Sequence, residues 1–438
     1  MAGARLRSRL PPLASCTPSE RAARDVICKL SQAEREAFLA THAAALYEKL
    51  TAGYSRMLRI EELMEDAASA VPGLVPSRAE MDAERSRALA DKEGVEISQG
   101  ILASRFLGLR GSGAHLVAAM LAPSQEALER LPAFARDGAA EIGPVRLRRA
   151  GPAAVLELAN PRHLNAEDGT TLWASECAVD LVLLDESIEV GVIRGAPVDR
   201  PGYTNGRVFG AGINLTHLYK GRIDFLFYLV RDLGYVNKIY RGVAPSGGTD
   251  LLAAASPART AARTGAGDED EVPGSIEKPW IAAVESFAVG GACQLLHVVD
   301  HVVAARGARL YLPARKEGII PGASNLRLPR FVGDRAARQA ILSGREWTAG
   351  EPDADLLCDE VVDAADMDRA LYGRIEALTS SGLVNAAANR RAMRVGEEPL
   401  DVFRRYMAVF AREQAYCHLS PVLVSNLEVH WRAHERTG

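Results

Sequence analysis

Two adjacent glycines, Gly290 and Gly291, follow an apolar run of strand length, Trp280–Val284, and precede an apolar stretch with helical spacing that starts at Cys293. Glycine lets a backbone N–H approach a ligand closely, and a helix start adds partial positive charge. Such an N–H can stabilise an oxyanion that develops during a reaction. Many α/β proteins have glycines at a strand–helix junction for structural reasons, so this pattern alone leaves a catalytic and a structural role open.

A second glycine-punctuated segment, FGAGINL at 209–215, is apolar and lacks helical periodicity. Together with the glycine pair it resembles the two oxyanion-hole segments of the crotonase (enoyl-CoA hydratase/isomerase) superfamily. Four motifs follow one another in the order of that superfamily: NP and LNA at 160–166, FGAGINL at 209–215, the glycine pair, and IPG with LPRFVG at 320–333. Four motifs in one order make the resemblance specific.

Longer segments are similar to a branch of that superfamily whose members are cofactor-independent dioxygenases of arylacetyl-CoA thioesters. These segments are FGAGINLTHLY at 209–219, KPWIAAVESFAVGGACQLL at 278–296, LPARKEGIIPG at 312–322 and REQAYCHLSP at 412–421. The resemblance implies conversion of 3,5-dihydroxyphenylacetyl-CoA and O₂ to 3,5-dihydroxyphenylglyoxylate and free CoA, through a thioester enolate. It also implies that neither a metal nor a flavin takes part.

The same resemblance implies where the enolate is held. The backbone N–H groups of Ile213 and Gly291 are the expected donors to the thioester oxygen. Their conformation matters more than their side chains, because both donors belong to the backbone. Gly212 and Asn214, on either side of Ile213, are expected to contact the substrate as well.

Three polar residues are expected to bind the polar substituents of the acyl group. Glu167 follows the LNA motif and should lie near the mouth of the acyl pocket, and Arg231 and Gln294 are its expected companions. Two of them have a plain structural alternative. Glu167 could be a solvated loop carboxylate, and Arg231 could be a cation on a helix surface paired with a nearby acid.

The sequence departs from the hydratases of the superfamily at both acid–base positions. Those enzymes add water with two glutamates, and the corresponding positions here are Gln294 and Ala314. Neither an amide nor a methyl group titrates near neutral pH, so hydration by paired carboxylates is not expected. The sequence does not identify the base that removes the α-proton.

Dioxygen is small, uncharged and a weak hydrogen-bond acceptor, so it needs an apolar cavity. Ile213, Leu215 and Ile319 stand beside the reacting carbon in the geometry that the resemblance implies, and are expected to line that cavity. Ordinary core packing is the alternative for each of them taken alone.

The elements that must position these residues divide the chain into four parts. We predict a tail at 1–16, a helical N-terminal domain at 17–140, a catalytic core at 141–345 and a helical C-terminal region at 346–438. The core should be an α/β fold, a crotonase-type spiral of ββα turns. The stretch 244–274 is rich in Ala, Gly, Ser and Thr, and is predicted to be a mobile surface insert.

Local signals predict individual elements. Capping boxes predict helix starts at Thr17 and at Ser31, and the apolar stretch 219–240 is predicted to be helical. The helix after the glycine pair is predicted to carry both His297 and His301. Their i, i+4 spacing can bind a metal, but no HExxH glutamate accompanies it, so core or interface histidines are expected.

Composition limits the possible partners. The chain has 438 residues and a formal net charge of −4, which gives no general attraction to nucleic acid or to an anionic membrane. No apolar run reaches about 18 residues, the six cysteines form no C-x-x-C, and neither G-x-G-x-x-G nor a P-loop appears. A cytoplasmic protein is expected, and the resemblance implies a homo-oligomer, either a trimer or a hexamer.

Two other functions stay open at this stage. One is another crotonase-type reaction of an acyl-CoA, such as thioester hydrolysis or isomerisation. The other is a non-catalytic scaffold or an RNA-associated relative, which the sequence pI of about 6.2 does not favour.

Overall fold

The computed structural model describes Leu6 and residues 9–203, 206–244, 275–380 and 382–436. Six helices come first. They are α1 (Pro18–Leu50), α2 (Ile60–Ala70), α3 (Arg78–Arg85), α4 (Ile97–Gly108), α5 (Arg110–Met120) and α6 (Gln125–Asp137). The first begins at the predicted capping box, where the Thr17 hydroxyl accepts a hydrogen bond from the Glu20 N–H, and the Glu20 carboxylate accepts one from the Thr17 N–H.

The α/β part follows these helices. Its strands are β1 (Ala139–Ile142), β2 (Val145–Ala150), β3 (Ala153–Leu158), β4 (Val190–Gly195), β5 (Pro197–Val198), β6 (Gly206–Arg207), β7 (Trp280–Val284), β8 (Phe287–Val289), β9 (His301–Ala305), β10 (Arg309–Tyr311), β11 (Glu346–Thr348) and β12 (Glu360–Val362). Its helices are α7 (Gly169–Leu184), α8 (Leu215–Tyr219), α9 (Leu226–Leu233), α10 (Tyr235–Arg241), α11 (Gly291–Leu295), α12 (Ala314–Glu317) and α13 (Ser324–Arg338).

Seven strands form the main sheet, in the order β1-β2-β3-β4-β7-β9-β12. The first three pair antiparallel, and every pair from β3 to β12 is parallel. A smaller sheet places β10 between β8, which is parallel to it, and β11, which is antiparallel. Spiral turns of two strands and a helix therefore carry the chain around, in agreement with the predicted fold class.

The central strands of the main sheet are apolar on both faces, as expected for parallel strands covered on both sides. Successive side chains of a strand point to opposite faces. Accordingly Ile281 and Ala283 of β7 pack in a cluster with Ile375 of the helix that follows β12, whereas Ala282 and Val284 join the large core on the other face.

Four helices close the chain: α14 (Met367–Thr379), α15 (Leu383–Glu397), α16 (Leu400–His418) and α17 (Pro421–Trp431). Helix α16 lies directly on α4, where a Cβ built on Gly100 would stand 2.5 Å from the Cβ of Ala415. One large cluster of packed apolar side chains contains residues from both ends of the chain, from Leu39 of α1 to Ala433 after α17. The N-terminal helices thus share their core with the sheet, and the boundaries at 140/141 and 345/346 stay a prediction.

Three local predictions are wrong. Ser31 lies inside α1, where its hydroxyl donates to the carbonyl of Ile27 at 2.7 Å instead of capping a new helix. The stretch 219–240 is broken into separate helices, with Gly234 between α9 and α10. The helix after the glycine pair ends at Leu295, and His301 begins β9, so His297 and His301 are not on one helix. The predicted insert lies outside the described residues except for Ala244.

Candidate active site

The two glycine-punctuated segments lie against each other. Gly210 exchanges backbone hydrogen bonds with β8, since its carbonyl accepts from the Val289 N–H at 3.0 Å. Two residues later Gly212 adopts a φ of +75°, and a Cβ there would stand 2.8 Å from the Val289 carbonyl oxygen and 3.0 Å from the Gly291 nitrogen. Only glycine fits this position, because both the backbone conformation and the close approach exclude a side chain.

The two expected oxyanion donors come from these touching segments. Ile213 forms a parallel bridge with Glu167, whose N–H donates to the Gly212 carbonyl at 2.7 Å and whose carbonyl accepts from the Asn214 N–H at 2.7 Å. This pairing uses the backbone groups on either side of Ile213 and leaves its own N–H out. Gly291 is the first residue of α11, so no helix carbonyl is available to its N–H. Within the described ranges, neither N–H donates a hydrogen bond to protein.

A buried polar network stands beside these donors. The Arg231 Nε donates to Oε2 of Glu167 at 2.8 Å, its Nη1 donates to Oε1 of Gln294 at 2.8 Å, and its Nη2 donates to the Gly291 carbonyl at 2.7 Å. The other carboxylate oxygen of Glu167 accepts a hydrogen bond from the Tyr235 hydroxyl. The structure therefore brings together all three residues that the sequence assigned to the acyl substituents.

The electrostatics of this network favour a charged Arg231. Burial opposes the charge of the guanidinium, but Glu167, Tyr235 and Asp232 together outweigh it and raise the pKa of Arg231 above its ordinary value. Glu167 and Arg231 are 7% and 3% exposed. The solvated loop carboxylate and the helix-surface cation, the structural alternatives for these two residues, are therefore both wrong.

Gln294 has one end in the network and one end free. Its Oε1 accepts from Arg231, while its Nε2 donates to no residue in the part of the chain that the structure describes, although it is not sealed from open space. The amide therefore offers a donor to a ligand. Because its acceptor end is fixed by Arg231, the orientation of that donor is fixed as well.

Asn214 and Leu215 have local structural roles. The Asn214 side chain accepts from the His217 N–H at 3.1 Å, which caps α8, and its Nδ2 donates to Asp168 at 3.2 Å. Leu215 is the first residue of α8 and is buried. The Asn214 side chain thus makes its hydrogen bonds to other residues of the protein, and its backbone N–H donates to the Glu167 carbonyl.

The segment that carries Ile319 is anchored to the site at both ends. At one end, Pro313 lies 3.7 Å from a Cβ built on Gly290. At the other end, a Cβ on Gly322 would stand 2.5 Å from Oε1 of Gln294, and the Gly322 carbonyl accepts from the Tyr406 hydroxyl at 2.5 Å. Ile319 is buried between these two anchors.

Sequence reasoning missed several residues around the network. Tyr235 holds Glu167, Tyr406 holds the IPG segment, and Asp232, which is 2% exposed, accepts a hydrogen bond from the Ala323 N–H at 3.3 Å. Burial raises the pKa of the Asp232 carboxyl, although Arg231 acts in the opposite direction. The closeness of Tyr235 and Asp232 to Arg231 in the sequence was the only available signal.

No cluster of three or more His, Cys, Asp or Glu side chains in the described ranges is placed to hold a metal ion. His297 contacts the Ser324 hydroxyl at 3.1 Å, and His301 lies near Asp359 and Glu360. In the same ranges no helix has both the length and the apolar character needed to cross a membrane.

Comparisons with known proteins show what the chain is similar to. A family model described as enoyl-CoA hydratase/isomerase matches residues 242–406. The chain is 47% identical over 407 residues to the (3,5-dihydroxyphenyl)acetyl-CoA 1,2-dioxygenase of Amycolatopsis orientalis, which covers 93% of this chain and 88% of that protein. So long a match includes most of the helical regions at both ends.

More distant relatives match a smaller share of the chain. The carnitinyl-CoA dehydratase of Salmonella paratyphi A is 29% identical over 176 residues, which are 38% of this chain and 67% of that protein. A solved enoyl-CoA hydratase from Mycobacterium avium subsp. paratuberculosis is 17% identical, with a TM-score of 0.48, and covers 68% of this chain and 100% of that one.

Proposed function

The chain belongs to the crotonase (enoyl-CoA hydratase/isomerase) superfamily, and we propose that it is a dioxygenase that converts 3,5-dihydroxyphenylacetyl-CoA and O₂ to 3,5-dihydroxyphenylglyoxylate and free CoA. The observation that carries this proposal is a pair of N–H groups, Ile213 and Gly291, that donate to no residue in the described ranges, beside a polar network that lacks the paired hydratase carboxylates. The full-length identity to a dioxygenase supports it.

The geometry suits a thioester enolate. When the α-carbon loses a proton, negative charge develops on the thioester oxygen, and the N–H groups of Ile213 and Gly291 hold it there. Fixed donors of this kind require little reorganisation during the reaction. The aryl ring conjugates with the enolate, which makes the α-proton more acidic and lets a weaker base remove it.

The oxygen steps balance without another reactant. The enolate gives one electron to O₂, and the resulting radical and superoxide combine at the α-carbon. The terminal peroxide oxygen attacks the thioester carbonyl and expels CoA. Cleavage of the O–O bond with loss of the remaining α-hydrogen leaves the α-keto acid, so both oxygen atoms of O₂ end in the product and both α-hydrogens end as protons.

The polar network recognises the ring. The free Nε2 of Gln294 donates to a phenol oxygen, and Glu167 and Arg231 fix the position of that amide. Ile213, Leu215 and Ile319 provide the apolar surroundings for O₂, and all three are buried. Neither a metal nor a flavin has a part in this scheme.

We further propose a homo-oligomer, a trimer or a hexamer. Exposed apolar side chains on the C-terminal helices support this, among them Val384 at 86% and Val429 at 71% exposed. Light scattering coupled to size-exclusion chromatography measures the state, and a monomer at micromolar concentration contradicts it.

The decisive experiment measures O₂ consumed and CoA released from 3,5-dihydroxyphenylacetyl-CoA, alongside other arylacetyl-CoA thioesters. We expect one O₂ per CoA, and no CoA release under argon. The alternative is an acyl-CoA hydrolase or isomerase of the same superfamily, and turnover at full rate without O₂ would establish it. Failure to bind any CoA thioester would instead indicate a non-catalytic relative.

A further inference from the structure

Tyr235 is the first residue of α10, and its side chain reaches the carboxylate of Glu167. It is 3% exposed, and its hydroxyl donates to Oε1 of Glu167. The guanidinium carbon of Arg231 lies 5.6 Å from the centre of the Tyr235 ring, and its Nε donates to Oε2 of Glu167 at 2.8 Å. Arg231 and Tyr235 therefore each hold one oxygen of the same buried carboxylate.

Gly234 produces the break in the helix between these two residues. Its backbone is not helical, with φ −89° and ψ −116°, so α9 ends before it and α10 begins after it. A Cβ built on Gly234 would stand 2.4 Å from the Val230 carbonyl oxygen, which leaves no room for a side chain. This turn sets how the Tyr235 ring is presented relative to Arg231.

The Glu167 carboxylate contacts the segments that carry the two expected oxyanion donors. A Cβ built on Gly291 would stand 2.3 Å from Oε2 of Glu167, so this oxygen lies against the Gly291 backbone. The backbone of Glu167 pairs with the residues on either side of Ile213. Direct contacts thus place the carboxylate, and the Tyr235 hydroxyl bonded to it, beside the site of the thioester oxygen.

Hydrogen-bond capacity limits what this carboxylate can bind. An ionised carboxylate only accepts, at about four lone-pair positions on its two oxygens. Arg231 occupies one position and the Tyr235 hydroxyl occupies another. Burial raises the pKa of the Tyr235 phenol well above its ordinary value, so the hydroxyl keeps its proton and acts as the donor. The remaining positions suit a ligand group that donates.

The Tyr235 hydroxyl also prevents a competing arrangement of the ion pair. A guanidinium can bind a carboxylate through two parallel N–H groups, which is the strongest geometry for this pair. Here Nη2 of Arg231 donates instead to the Gly291 carbonyl at 2.7 Å, and only Nε reaches Glu167. Without the tyrosine donor the carboxylate can rotate onto both N–H groups, and it then loses lone-pair positions that a ligand needs.

We propose that Tyr235 is a positioning residue that sets the specificity of the acyl site. Its hydroxyl holds Glu167 in the orientation that accepts from a ring hydroxyl, so the site requires a hydrogen-bond donor on the aryl ring. This inference rests on the proposed function for the identity of that ring. Since Gln294 offers an N–H, the two ring hydroxyls are recognised in opposite senses. One donates to Glu167, and the other accepts from Gln294.

The test compares the binding of three ligands by calorimetry under argon, as uncleavable amide analogues of the CoA thioesters. Their rings are 3,5-dihydroxyphenyl, 3-fluoro-5-hydroxyphenyl and 3,5-difluorophenyl, because fluorine is close in size to a hydroxyl group but cannot donate. In the wild type, we expect the difluoro ligand to bind at least about 100-fold more weakly than the monohydroxy ligand. Tyr235→Phe should reduce this ratio by about 10-fold or more, by weakening only the hydroxylated ligands.

Tyr240→Phe is the matched control, because Tyr240 is also on α10 and its hydroxyl donates to another carboxylate, that of Glu397, at 3.2 Å. It should keep the wild-type ratio. A Tyr235 hydroxyl that only supports the fold would, when removed, weaken all three ligands alike. A ratio in Tyr235→Phe within about threefold of wild type, or tighter binding of the dihydroxy ligand, therefore overturns the proposal.

The wild type alone provides a second readout that does not depend on the folding of a variant. Equal binding of the monohydroxy and difluoro ligands would show that the site requires no donor, and would overturn the proposal as well. Because binding is measured without turnover, the result is separate from the reaction. The expected ratios in a protein that consumes no O₂ would refute the dioxygenase function and leave the role of Tyr235 standing.

Discussion

Replacing Gly291 by alanine tests the geometry of the site most directly. A Cβ on Gly291 would stand 2.3 Å from Oε2 of Glu167 and 3.2 Å from Nη2 of Arg231. Ordinary contacts need about 3.5 Å, so the carboxylate or the start of α11 must move by about 1 Å. Glu167 cannot move freely, because Arg231 and Tyr235 hold both of its oxygens in the interior.

Either displacement has a measurable cost. If the carboxylate moves, Arg231 loses its ion pair with Glu167, and breaking a buried ion pair costs about 3–5 kcal/mol of folding stability. If α11 moves, the Gly291 N–H leaves the thioester oxygen, and the loss of one such donor lowers kcat by about 10²–10³-fold. We therefore expect Gly291→Ala either to lower the free energy of unfolding by about 3–5 kcal/mol or to lower kcat by about 10²–10³-fold.

The assay combines urea unfolding with CoA release and O₂ consumption. Gly169→Ala is the matched control, because Gly169 is close to Glu167 in sequence, lies at the start of α7, and would place its Cβ with no atom within 4 Å. We expect that control to keep both stability and turnover. A Gly291→Ala protein with wild-type stability and wild-type turnover would refute the described contact between Gly291 and Glu167.

Three more predictions follow from the site. Gln294→Glu should weaken oxygenation, because the amide donor is lost and a negative charge is added near buried Asp232. The variant should not hydrate a 2-enoyl-CoA efficiently, since Ala314 still lacks a carboxylate. Efficient hydration by this variant would contradict the assignment of Gln294. Ile319→Thr should admit water to the oxygen pocket and lower the ratio of O₂ consumed to CoA released, measured over a range of O₂ concentrations, whereas an unchanged ratio would make Ile319 ordinary core. The purified protein should stay active in EDTA and show no flavin absorbance, and activity that only one added metal restores would overturn the cofactor-free scheme.

The sequence alone determined the features that depend on local patterns. The glycine motifs predicted the superfamily correctly, because a positive φ or a close backbone approach favours glycine at that position of the sequence. They also predict the two backbone donors, Ile213 and Gly291. The strand Trp280–Val284 and the helix start at Thr17 also agree with prediction. Caps and short apolar runs act over a few residues, so the sequence can report them.

The same reasoning failed where an apolar run has two possible structures. The stretch after Leu295 turns into β9, a strand of a parallel sheet that is buried on both faces. Such a strand lacks polar alternation, and a short apolar run of this kind cannot be told from a buried helix by periodicity. The predicted helix start at Ser31 is wrong for a related reason. A capping pattern inside a long helix can be overridden by the packing of that helix.

Only the tertiary structure decided how the polar residues act. Glu167 and Arg231 are 64 positions apart, and nothing local shows that they are buried together with Tyr235 on the second carboxylate oxygen. In the sequence Glu317 is an ordinary charged residue between Lys316 and Gly318, but the fold buries it, and no side chain in the described ranges pairs with its carboxylate. Burial and pairing result from contacts between distant segments, and these contacts, rather than residue types, set the charge state of a carboxyl group.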